Sequence, residues 1–228
     1  MFLSPSVDLK CLVFCIFVSM KVTESSIEPA DLYRTIEAPS EGLFKDRGSR
    51  FISKAFPVQS TDQIKTILDS LRKEYHDARH HCYAYRIGQS GDFRTNDDGE
   101  PTNSAGKPIY GQILSNDLSN VLIVVIRYFG GTLLGVGGLI NAYRTAAQEA
   151  IKNATIIERT YDSKIRISCP YPMVNDVMKI IRDEQAAITD QYYSDPVRIT
   201  IQIRQGGVDR VISRLNKLKG VFNEAVNL

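Results

Sequence analysis

Asn120-Val121-Leu122-Ile123-Val124-Val125-Ile126-Arg127-Tyr128-Phe129 runs straight into Gly130-Gly131-Thr132-Leu133-Leu134-Gly135-Val136-Gly137-Gly138. The unbroken apolar run 121–126 has the length of a strand and predicts one buried on both faces. Five glycines follow, at 130, 131, 135, 137 and 138. A helix is predicted from about Leu139, with Tyr143, Ala146, Ala147, Ala150 and Ile151 on one side. The unit is therefore strand, glycine segment, helix.

Upstream, Tyr33–Ile36 and Ser49–Phe56 alternate partly with period two and predict strands. Ser60-x-x-Gln63 predicts a capping box opening a helix through Ile64, Ile67, Leu68, Leu71 and Tyr75. His81–Ile87 reads as a strand. The polar stretch 96–104 can only be a loop, and Ala105–Leu114 predicts a short helix. Downstream, Ile165–Ser168, Ile188–Tyr193, Val197–Ile203 and Val221–Val226 predict strands. Helices around Val177 and Val211 separate them in the order βαββαβ, a ferredoxin-like arrangement. The fold class expected is α+β, an α/β sandwich with a boundary near 158–162. Residues 31–160 form the first domain, 161–228 the second, and 1–30 an extension.

The chain has 228 residues, 43% hydrophobic and 24% charged, which places it outside the disordered range. A net charge of +2 excludes strong sequence-independent attraction to nucleic acid, though not a local basic patch. Residues 160–228 carry that +2 through ten basic and eight acidic side chains. Cys11, Cys15, Cys82 and Cys169 form no C-x-x-C pair, so neither a disulfide framework nor a zinc ribbon is expected. The apolar run 11–18 is too short to span a bilayer and no small-x-small cleavage site follows it. It reads either as a signal segment or, the favoured reading, as an over-extended start before a true Met20. A cytoplasmic protein without a membrane anchor is expected.

Chemistry concentrates between residues 78 and 144. A glycine segment between a strand and a helix can turn backbone N–H groups toward an anion, or simply let the helix pack closely. It is neither a Walker loop nor a G-x-G-x-x-G fingerprint. Asp97, Asp98 and Glu100 crowd one turn, where they cap the next helix or recognise a cationic or hydroxyl group. His80 and His81 point to opposite faces of their strand, so they do not share a metal, and His81 is the candidate for facing the loops. Lys107, Arg127, Tyr128 and Arg144 add positive charge and an aromatic surface, the combination used on single-stranded nucleic acid. No cofactor or metal is expected.

At Ala78-Arg79-His80-His81-Cys82-Tyr83-Ala84, Asp97-Asp98-Gly99-Glu100-Pro101, Ala105-Gly106-Lys107-Pro108-Ile109, Arg127-Tyr128-Phe129-Gly130-Gly131 and Gly135-x-Gly137-Gly138-Leu139, the chain resembles the IMPACT family in its bacterial, YigZ-like form. The resemblance implies an N-terminal βαβ domain with a left-handed crossover, shared with a ribosomal protein and GHMP kinases. It implies a C-terminal domain like the last domain of elongation factor G. Eukaryotic members are associated with control of translation initiation, which implies a non-catalytic protein meeting RNA or the ribosome. An enzyme acting on a phosphorylated or nucleotide substrate at the glycine segment, and a protein-binding adaptor, are the alternatives. Two positions depart from the family pattern: Asn103 stands where a glycine is common, and Leu133 where a lysine is common.

Overall fold

The computed structural model describes residues 31–226; the expectations for the N-terminal extension, including the Met20 start, lie outside them. Strands β2 (Ser40–Asp46), β3 (Ser49–Pro57), β4 (His80–Ile87), β5 (Asp92–Asn96) and β6 (Val121–Tyr128) form one sheet in the order β2-β3-β6-β4-β5, antiparallel at each pairing. The run 121–126 is its middle strand, and all six side chains are fully buried. Val121, Ile123 and Val125 face helices α2 (Gly106–Ser115) and α3 (Gly135–Lys152). Leu122, Val124 and Ile126 face α1 (Thr61–Glu74). Each such side chain stabilises the fold by about 1.5–3 kcal/mol, so this strand anchors both layers.

Local signals explain the ends of the helices. Ser60 caps α1 by accepting from Gln63 N, as its sequence predicts, but the Gln63 side chain accepts from Gln59 N rather than from Ser60. Helix α3 starts at Gly135, one turn before the expected Leu139, so Gly135, Gly137 and Gly138 belong to its first turn rather than to a loop. Glycine is a poor helix former, but eighteen residues packed through Leu139, Tyr143, Ala146 and Ala150 outweigh that penalty.

Three strands carry too weak a pattern to be read in advance: β2, β5 and β7 (Ile156–Thr160). β2 and β5 are sheet edges rich in polar residues. Among the described residues β7 pairs only with β1 (Leu32–Ile36), antiparallel from Leu32 opposite Thr160 to Ile36 opposite Ile156. Just before this ladder, buried Asp31 accepts from Gly206 N with its carboxylate and from Tyr161 N with its carbonyl.

The remaining strands, β8 (Asp162–Cys169), β9 (Ala187–Tyr192), β10 (Val197–Arg204) and β11 (Phe222–Val226), form a second sheet in the order β11-β8-β10-β9. Helices α4 (Val174–Asp183) and α5 (Val208–Leu215) cover one face. The clean alternation in Val197–Ile203 places Ile199, Ile201 and Ile203 in that core and Arg198, Thr200 and Gln202 on the uncovered side. The α+β class and the βαββαβ order agree with the sequence reading.

Candidate functional site

Four segments meet at one end of the larger sheet. The start of β4, the acidic turn 97–101, the end of β6 and the first turn of α3 line a hollow of about 430 Å³. Its walls include Arg79, His80, Glu100, Arg127, Phe129 and Gly135. The imidazole in this hollow is that of His80, not His81. Cys82 and Ala84 share the α2–α3 side with His80, while His81 lies with Tyr83 and Tyr85 on the α1 side. Alternation along a strand fixes that the two rings diverge, but the burial of each is a tertiary property.

The acidic turn is held from within. Asp97 Oδ1 accepts from Ala105 N at 2.9 Å and Gly106 N at 2.8 Å, and its Oδ2 accepts from Asn103 N at 2.8 Å. Ala105, the N-cap of α2, has no capping side chain, so Asp97 performs that function from across the loop. Asn103 adopts φ of 63°, a left-handed conformation that asparagine tolerates, so the missing glycine is compensated. Asp98 Oδ2 accepts from His81 N at 2.7 Å, and the Asp98 carbonyl accepts from His80 Nδ1 at 2.8 Å.

Glu100 is the chemical centre of the turn. Its Oε1 accepts from Arg127 Nη1 at 2.6 Å and from the Tyr143 hydroxyl at 2.7 Å, and the Cys82 thiol lies 3.3 Å from that hydroxyl. The Glu100 and Arg127 side chains are 4% and 6% exposed, so the pair sits out of water. Burial pushes the Cys82 thiol and the Tyr143 hydroxyl far above their ordinary values, and both stay protonated. Burial also lowers the His81 pKa, with Asp98 opposing, so that ring is held neutral. Among the described residues, Arg127 Nε and His81 Nε2 are buried without hydrogen-bond partners.

The glycine segment divides by purpose. Gly130 packs so closely on the Gly48–Ser49 backbone that a Cβ would overlap Gly48 C and Ser49 N. Gly131 and Gly135 take positive φ, 87° and 71°. Gly137 has open space where a side chain would project, whereas a Cβ on Gly138 would press on Leu134 Cβ at 3.0 Å. Leu133, in the lysine's place, is 81% exposed and forms part of the apolar wall.

Of the expected members only Glu100, Arg127 and Gly135 line the hollow; His81, Asp97, Asp98, Lys107, Tyr128, Gly130, Gly131, Gly137, Gly138 and Arg144 do not. Tyr128 projects toward the α1 side, where its hydroxyl donates to Asp77 and Arg50 stacks on its ring. Lys107 and Arg144 are exposed on α2 and α3 and do not line it. Among the described residues no group of three or more His, Cys, Asp or Glu is arranged to hold a metal ion. No helix among them is long and apolar enough to cross a membrane.

The open face of the smaller sheet, the surface expected of an adaptor, carries a row of residues that the sequence reading missed. Across the uncovered face of the smaller sheet, Phe222 stands opposite Ser168, Ser168 opposite Arg198, and Arg198 opposite Tyr192. Phe222 and Tyr192 are 74% and 66% exposed, and Arg198 is exposed between them. A hollow of about 320 Å³ lies against this row, bounded by Arg166, whose guanidinium pairs with Glu224 at 2.8 Å. Only strand register, which joins residues up to 54 positions apart, reveals the row.

Residues 47–151 match the Impact N-terminal domain, and residues 167–218 match a domain of unknown function, DUF1949. The IMPACT family member YigZ of Escherichia coli is 29% identical over 78% of this chain and 89% of its own. An IMPACT family member of Thermus thermophilus is 35% identical over 70% of this chain and 86% of its own. A crystal structure described only as that of a hypothetical protein superposes over 86% of this chain and 98% of its own, with 27% identity and a TM-score of 0.64. These matches cover both parts of the chain, and the chain belongs to the IMPACT family.

Proposed function

We propose that this chain is a non-catalytic cytoplasmic protein that binds RNA or the ribosome and modulates translation, built from units spanning 31–160 and 161–228. The observation that carries the reading is the cross-strand row Phe222–Ser168–Arg198–Tyr192 on a four-stranded sheet with helices on its other face. Single-stranded RNA is held on such sheets by bases stacked on aromatic rings, with arginine serving the phosphates. The Arg198 side chain has no hydrogen bond or ion pair among the described residues, so its charge is available. The sheet spacing of about 4.8 Å puts the two rings roughly 14 Å apart, room for more than one base. The translation link is the one the family resemblance implies.

Catalysis is the weaker reading because the acidic groups are engaged. Glu100 holds Arg127 and Tyr143, and Asp98 holds the His81 amide and the His80 ring. The test is ribosome co-sedimentation together with filter binding of unstructured RNA, at low and at moderate salt. Retention is expected, and Phe222→Ala with Tyr192→Ala should weaken it at least about tenfold. Retention indifferent to that pair, or none at all, rejects the proposal. A partner captured irrespective of nuclease treatment would mark an adaptor instead.

A further inference from the structure

The hollow at the start of α3 has donors that its internal bonding leaves unused. Helix α3 is 18 residues long, its N-cap Leu134 makes no side-chain capping bond, and its first turn holds no acidic residue. Its first N–H groups thus lack side-chain acceptors, and Gly135 and Gly137 leave the backbone there bare: a Cβ on either meets nothing within 4 Å. Independently, Arg127 is 6% exposed, and with Nη1 on Glu100 its buried Nε has no partner. A buried donor left unsatisfied is destabilising. Arg79, exposed and without a bonding partner among the described residues, lies on the same wall. The remaining wall is apolar: Phe129, Leu133 and Val136 are each at least half exposed.

We infer that this hollow is a site for a nucleoside monophosphate, with its phosphate at the first turn of α3 beside Arg127 and Arg79. The base lies on the apolar wall of Phe129, Leu133 and Val136. A phosphate dianion offers three acceptor oxygens, which suits helix N–H groups plus two guanidinium groups better than a two-oxygen carboxylate does. The volume of about 430 Å³ falls within the range of small-ligand sites. The inference goes beyond the RNA reading and concerns a different surface: the nucleotide is either free or the phosphorylated end of an RNA chain.

Gly137→Asp is the decisive variant. The position has open space and no positive φ, so the side chain fits. A carboxylate in the first turn favours the helix of the empty protein and repels an anion at the same place. Calorimetry and thermal shift with UMP, AMP, inorganic phosphate, the parent nucleosides, and 5′-phosphorylated and 5′-hydroxyl oligoribonucleotides separate the sources. The expected result is saturable stabilisation by UMP or AMP and at least about tenfold weaker binding of the nucleosides. Gly137→Asp should weaken UMP and AMP at least about tenfold while the melting temperature of the empty protein holds or rises. Arg79→Ala should weaken them too. A 5′-phosphate preference places the site at RNA ends; its absence assigns the site to the free nucleotide.

The inference is overturned by no shift at about 10 mM nucleotide, by nucleosides binding as tightly as their monophosphates, or by unchanged affinity in Gly137→Asp. Tighter binding of a short peptide ending in leucine would overturn it in favour of a carboxylate site. RNA retained through the sheet face without mononucleotide binding removes this inference alone. Mononucleotide binding without RNA or ribosome retention removes the RNA reading instead.

Discussion

Arg127 Nη1 lies 2.6 Å from Glu100 Oε1, and this single bond ties the end of the central strand to the acidic turn. Breaking a buried pair from one side strands the other charge. Glu100→Ala should therefore destabilise the fold by about 3–5 kcal/mol in urea unfolding. Arg127→Met combined with Glu100→Gln should cost less than Glu100→Ala alone. Equal or additive losses would show that the charges do not act as a pair.

Asp97 holds three backbone N–H groups, two of them at the start of α2. Asp97→Ala should cost about 2 kcal/mol or more, and Asp97→Asn clearly less, since an amide oxygen still caps. Thermal unfolding of the two variants checks the order. Matching losses would mean that side-chain volume, not acceptance of hydrogen bonds, matters at this position.

His81 sets a pH dependence. Its ring is held neutral by burial, so its folded pKa lies below the ordinary value of about 6.5. Between the two values the unfolded chain binds the extra proton, so His81's stabilising contribution is present above about pH 6.5 and is lost as pH falls through the folded value. The slope is at most about 1.4 kcal/mol per pH unit. His81→Gln should flatten that part of the profile measured by urea midpoints. A profile unchanged by the substitution would assign the acid sensitivity to other groups.

Gly130 and Gly137, seven positions apart, should answer substitution in opposite ways. Gly130→Ala would force Cβ into the Gly48–Ser49 backbone and should cost about 3 kcal/mol or more, as severe overpacking does. Gly137→Ala meets nothing and should be neutral or stabilising by up to about 1 kcal/mol. Circular dichroism melts of the purified variants separate the two. Similar melts would mean that the 48–49 turn moves aside freely.

The legible parts of the molecule were those with strong local periodicity. Val121–Ile126 could be placed in the middle of a sheet because nothing but burial suits six apolar residues in a row. Val197–Ile203 announced both its core side and its free side. What stayed hidden depends on pairing across strands. Nothing near Glu100 in sequence points to Arg127 or Tyr143, and nothing near Phe222 points to Tyr192. The edge strands β2 and β5 lack a hydrophobic face strong enough to mark them. Helix α3 hid its true start because its first turn is made of residues that disfavour helix, a mismatch tolerated where the backbone itself is left uncovered.

The pairing of Leu32 with Thr160 at the open end of the β1–β7 ladder has a mechanical consequence. The polypeptide enters and leaves the five-stranded body side by side, so tension between residues 31 and 161 pulls the ladder apart like a zip. Halfway along, Arg34 and Thr35 are also bonded to Ser119 and Asn120 just ahead of the central strand, so a pull that opens the ladder is handed on to that strand's entry.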